Sequence, residues 1–162
     1  MATPFSSLQT AFFNKIEKDL DFFTYNNVTE EEAMEIALSR SREYLKESLA
    51  KLKISCSSDI SFDYDDNENL LVDDLTPTEI DLVANIMREK YYEKDMSLLK
   101  AFQVRFSTKD LQVFSPANER KTFMDMYYGI IEENNKMISQ YASRDRMTGK
   151  LKSIDFSKYV ND

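Results

Sequence analysis

Large apolar side chains return at three- and four-residue spacing in four separate stretches of this chain, the repeat that places them on one face of an α-helix. The first stretch, Phe5, Leu8, Phe12, Ile16, Leu20 and Phe23, predicts a helix over 5–23. Phe13 and Phe22 lie off that stripe and widen it, which fits either a broad core face or a contact with another subunit. The second, Ala33, Ile36, Ala37, Tyr44, Leu45, Leu49 and Leu52, predicts a helix from about 30 to 53. Thr29 and Glu32 open it with the S/T-x-x-E capping box, in which each residue satisfies the other's exposed backbone N–H. Glu30, Glu31 and Glu32 come first and Lys51 and Lys53 last, the charge order that complements the helix macrodipole.

The third stretch is Ile80, Val83, Ala84, Met87 and Tyr91, and predicts a helix over 77–94. Thr76-Pro77-Thr78-Glu79 opens it with a second capping box and with proline at the first helical position, where a missing N–H costs nothing. The fourth, Phe123, Tyr127, Ile130, Met137, Ile138 and Tyr141, predicts a helix over 116–142, with Ser115 as its N-cap and Pro116 as its first residue.

The helical repeat fails in three places. Residues 55–74 carry serine and acidic clusters and read as a loop holding a short strand or hairpin. Between Asp95 and Phe114, Leu98, Leu99, Phe102, Val104, Phe106, Leu111 and Val113 are too apolar for a free linker, and Val104 and Phe106 alternate with Arg105 as in a strand. An ordered loop or hairpin excursion is expected there. After Tyr141 a polar run reaches Gly149, and the last residues bring Leu151, Ile154, Phe156, Tyr159 and Val160, more large apolar groups than a plain disordered tail carries. This arm, 143–162, fits binding to a partner and folding back on its own domain equally well. The expected fold is all-α: a small bundle of about four helices over 1–142, with the excursion and the C-terminal arm.

Composition supports helix, since a chain of 162 residues has only two glycines and three prolines for turns. Its formal net charge of −8 disfavours a general grip on nucleic-acid phosphates, which depends on lysine and arginine displacing counterions. Cys56 stands alone, so no disulfide forms within the chain. No basic segment leads into an apolar run at the N-terminus, and no run of about 18 apolar residues occurs, so neither a signal peptide nor a membrane span is expected, and the cytoplasm is the natural compartment.

The chemistry-bearing residue types are sparse. With no histidine the commonest general base and imidazole ligand are missing, and two glycines cannot build a phosphate loop. An enzyme is not expected, nor a metal or cofactor. Asp63, Asp65, Asn67, Leu70 and Asp74 invite comparison with a calcium loop, but Glu68 stands where glycine permits the sharp turn, and Asp74 is shorter than the bidentate glutamate that ends such a loop. Eight methionines and twenty aromatics fit a protein whose product is a contact surface.

The order of these features, Leu-Thr-Pro-Thr-Glu-Ile over 75–80 opening a mid-chain helix, then an excursion, then Leu-Gln-Val-Phe-Ser-Pro-Ala-Asn over 111–118 opening the last long helix, resembles the head–tail connector proteins of tailed bacteriophages, also called adaptor or head-completion proteins. The resemblance spans about 28–141; the 5–23 stretch and the 150–162 tail exceed the shorter relatives. It implies a virion protein at the neck, assembled in the host cytoplasm into a ring, commonly of twelve subunits. Such a ring lies between the portal and the next neck or tail-completion protein and extends a channel through which DNA slides without specific binding. On that reading Phe102, Arg105 and Phe106 in the excursion and Phe156 and Tyr159 in the tail are the partner-binding candidates, being the residue types that most often carry interface energy. Asp63, Asp65, Asp66 and Glu68 would face the channel or solvent. The alternatives are a soluble helical regulatory module and a calcium-dependent binding protein.

Overall fold

The computed structural model describes residues 2–17, 19–56, 58–105 and 117–153, with the helical backbone alone for 102–105, 117 and 118. Its elements are, in order, β1 (Thr3–Pro4), α1 (Phe5–Lys15), a 3-10 turn (Leu20–Phe22), α2 (Glu30–Ser55), β2 (Tyr64–Asp65), β3 (Leu70–Leu71), α3 (Pro77–Arg105) and α4 (Ala117–Ala142). Among the described residues the fold is a small helical bundle of four helices with a minor three-stranded sheet at one end.

α3 is the axis. Leu82, Val83, Ala84, Asn85, Ile86 and Met87 are all buried, so this helix is covered on every side over more than a turn, as a central helix must be. α1 covers it with Phe5, Leu8 and Phe12, and α2 with Tyr44, Leu45, Leu49 and Leu52. α4 runs antiparallel to it, pairing Tyr92 with Phe123 near one end and Glu79 with Tyr141 near the other. The buried stripe of α4 is Tyr127, Ile130, Asn134 and Ile138, so an asparagine occupies a place in the apolar face. Gln9 is likewise buried in α1 and is satisfied across the interface with α2, its Nε2 donating to Leu38 O at 3.0 Å and Ser41 Oγ at 2.8 Å.

Both capping boxes form. Glu32 N–H donates to Thr29 Oγ1 at 3.2 Å while Glu32 Oε2 accepts from Thr29 N–H at 2.8 Å. Glu79 N–H donates to Thr76 Oγ1 at 3.3 Å, and Glu79 Oε2 accepts from Thr76 N–H at 2.7 Å. The Ser115 cap lies outside the described residues.

Two element boundaries differ from the periodicity. The helix expected over 5–23 stops at Lys15, the chain turns, and Leu20–Phe22 forms a separate 3-10 turn. This return lays Phe22 against Phe12, Tyr44 and Tyr91, with ring centroids 5.4–6.4 Å apart, which a straight continuation would have carried past the end of the bundle. Leu20, on the expected stripe, is exposed, and Phe22, off it, is buried. The excursion expected from Asp95 is also replaced, as far as Arg105, by continued helix: buried Met96 and half-buried Tyr92 and Leu99 extend the α3 stripe at helical spacing. The remainder of that excursion lies outside the described residues.

The 55–74 segment holds the hairpin. β3 is the middle strand, with Leu71 opposite Tyr64 on one side and Thr3 on the other. The β1 pairing anchors the first described residues: Phe5 N–H donates to Asn69 O at 2.9 Å, and Leu75 N–H to Thr3 Oγ1 at 2.8 Å.

Candidate interaction surface

The acidic residues singled out in the sequence sit on the β2–β3 hairpin and are exposed. They do not converge. Asp63 Oδ1 pairs with Lys53 Nζ at 2.6 Å, and Asp66 with Arg42 and Lys46, its Oδ1 lying 3.0 Å from each cation. Asp65 Oδ1 accepts the N–H of Asn67 at 2.8 Å and of Glu68 at 3.2 Å, closing the turn. The hydrogen bond from Lys53, then that from Ser61, holds the Asp63 carboxyl below its usual range; the Lys46 bond does the same for Asp66 against a smaller opposing effect of burial. The hairpin is thus pinned to the basic face of α2, and among the described residues no three acidic or sulfur ligands come together to hold a cation.

Of the aromatic and arginine candidates, Phe102 and Arg105 fall on the last turns of α3, where the backbone alone is described. Phe106, Phe156 and Tyr159 lie outside the described residues.

A groove of about 940 Å³ lies between α2 and α3. Glu47, Ala50 and Ile54 form one wall and Lys90, Lys94 and Leu98 the other. Its apolar groups are open to solvent: Ile54 is 87% exposed and Leu98 57%. The cations on its walls are already engaged by the protein. Lys90 Nζ lies 2.7 Å from Glu93 Oε2, and Lys94 Nζ sits 4.4 Å from the centre of the Tyr44 ring. Lys51 turns inward to Glu89, bonding Oε1 at 2.6 Å and Oε2 at 2.7 Å, and Asn134 Nδ2 of α4 adds a third bond to that carboxylate at 2.8 Å. Lys51, Glu89 and Asn134 tie three helices together beneath the groove.

A second buried carboxylate, Glu79, lies ten residues earlier on α3 and is fully enclosed. Besides its cap bonds it accepts Arg146 Nε at 2.6 Å and Nη2 at 3.0 Å, and the Tyr141 hydroxyl at 2.7 Å. Arg146 also donates to Asp74 O, so the chain beyond α4 is stitched to the approach to α3. Burial by itself would raise the Glu79 carboxyl, but Arg146, Thr76 and Tyr141 outweigh it and hold it below the usual range. The 145–149 turn that presents Arg146 is closed by Asp145, whose Oδ1 accepts Thr148 N–H at 2.7 Å and Thr148 Oγ1–H at 2.6 Å. Gly149, at φ +68°, allows the left-handed step that returns the chain.

Sequence reasoning found Glu79 as a cap and missed it as the partner of Arg146, 67 residues away. It missed Glu89 altogether, although an acid between Ile86, Met87 and Tyr91 is a signal, since a charge inside an apolar stripe requires a partner. Compared with protein-family models, curated proteins and solved structures, the chain matches none.

Proposed function

We propose that this chain is a non-enzymatic structural connector, a subunit of a ring that joins the portal of a tailed bacteriophage to the next neck component. The observation that carries the reading is the apolar groove between α2 and α3, where Ile54 and Leu98 are open to solvent. Open apolar side chains on two neighbouring helices are a surface suited to assembly. The sequence resemblance over 28–141 supplies the kind of assembly, and the net charge of −8 suits a channel that DNA traverses without being held.

Electron microscopy of the purified chain, alone and mixed with the portal ring of the same virus, with mass followed by light scattering, tests the proposal. Rings, or portals lengthened by one added ring, are the expected outcome. A chain that stays monomeric and leaves the portal unchanged overturns it in favour of a regulatory module.

A further inference from the structure

The apolar residues that α2 leaves open fall in two places. One is the groove wall, with Ala50 and Ile54. The other is a ridge near the start of the helix, where Met34 is 49% exposed and Leu38, one turn on, 39%. Val28 extends the ridge, lining with Met34 and half-buried Phe23 a shallow hollow beside the Thr29 cap. At 3.6 residues per turn Met34 and Leu38 stand about 200° and about 160° around α2 from Ile54, so ridge and groove lie on opposite sides of one helix. The bond from Gln9 to Leu38 O sets the ridge on the α1 side, while Lys51 in the groove wall turns to Glu89 of α3.

A patch that pairs with itself makes a two-fold dimer, whereas two unlike patches on opposite sides make a contact that repeats from copy to copy and can close into a ring. The two patches match in length and charge. The ridge stretch Glu30 to Leu38 and the groove wall Glu47 to Ser55 each span roughly 12 Å at the helical rise. Exposed Glu31 and Glu35 follow one flank of the ridge. The groove is likewise lopsided: Glu47 stands on its α2 wall, and Lys94 on its α3 wall rests on the Tyr44 ring, a contact that leaves the charge uncancelled. Seated with its acids along the α3 wall, the ridge meets Lys94; turned round, it meets Glu47. We propose that neighbouring subunits join head to tail through α2, the Met34–Leu38 ridge of one copy lying in the α2–α3 groove of the next against Ala50, Ile54 and Leu98. This contact rests on the connector reading and adds to it what joins one subunit to the next.

Variants at exposed positions separate the two faces. Met34→Asp or Leu38→Asp blocks the ridge and Ile54→Asp or Leu98→Asp the groove, and within each pair the variant that keeps the far-UV helical signal decides. Light scattering, with and without the portal ring of the same virus, is expected to find each variant monomeric and unable to lengthen the portal at concentrations where the wild type assembles. An equimolar mixture of one ridge variant and one groove variant keeps a single matched pair of faces, and is expected to stop at twice the mass of the chain. Variants that assemble as the wild type does overturn this contact and leave the connector reading standing. A mixture that stays monomeric, or that grows past two copies, does the same. A wild type that stays monomeric and leaves the portal unchanged overturns both.

Discussion

At its Pro77 end α3 is closed by a carboxylate that accepts bonds from three residues, Thr76, Tyr141 and Arg146, whereas further along it runs beside a groove whose apolar groups face water. Two buried acids lie along α3, Glu79 in its first turn and Glu89 near its middle, yet their partners differ in origin. Glu89 is held by side chains of α2 and α4. Glu79 is held by its own cap, by α4 and by the segment after α4, so that the closed end depends on a part of the chain outside the helices. A buried charge is costly unless fully partnered, which makes the closed end the more sensitive to a single lost group and leaves the open end free to change its surface.

The strongest way to break this contrast is Glu79→Ala, which strands Arg146 and unmakes the cap. Urea unfolding followed by circular dichroism should show a loss of about 3–5 kcal/mol. Arg146→Ala should cost nearly as much, and the double variant less than the sum, because both changes remove one network. Acid should act through the same carboxyl. Its folded pKa lies below the unfolded value of about 4.3, so its contribution is complete above about pH 5 and is lost as pH falls through the folded value. The exposed Asp63, Asp66 and Asp59 shift in the same direction through lysine partners that salt screens, and Asp145 through Thr148 in its own exposed turn, so the part of the acid-induced drop that survives in molar salt and disappears in Glu79→Gln should be that of Glu79.

Smaller effects sharpen the comparison. Thr29→Ala removes an ordinary cap and should cost about 1 kcal/mol. Thr76→Ala should cost more, since both hydroxyls donate to the glutamate of their box but Glu79 is buried where Glu32 is exposed, and equal midpoints for the two variants would deny the closed end its special standing. Asp63→Asn removes an exposed ion pair on the hairpin and should leave the urea midpoint unmoved.

How legible each feature was in the sequence depends on how local it is. Thr29 with Glu32 and Thr76 with Glu79 act over one turn, and both boxes were readable and both form. The stripes on α2 and α4 were readable for the same reason. The stop at Lys15 was not, because no glycine or proline marks it; what ends α1 is the room beside Tyr44 and Tyr91 that Phe22 turns back to fill. The continuation of α3 was obscured by the alternation of Val104, Arg105 and Phe106, a strand pattern too short to outweigh a helix already nucleated. Of the candidate surface, the acids were readable as a turn, but their pairing with Lys53, Arg42 and Lys46 required the hairpin to fold onto α2. The groove has no sequence signature, being a space between two helices.

The pairing of Thr3 and Pro4 with Leu71 and Leu70 also sets an order in time. As the chain leaves the ribosome, α1 emerges with its Phe5, Leu8 and Phe12 face complete and only α2 to meet it, through Gln9 with Ser41 and Phe12 with Tyr44. The strand that holds its start and the helix that covers it are made some seventy residues later. Chains stalled before Met87 should therefore carry an aromatic helix covered on its α2 side alone, a natural client for a chaperone at the exit tunnel, and synthesis paused there should aggregate more readily than the finished protein.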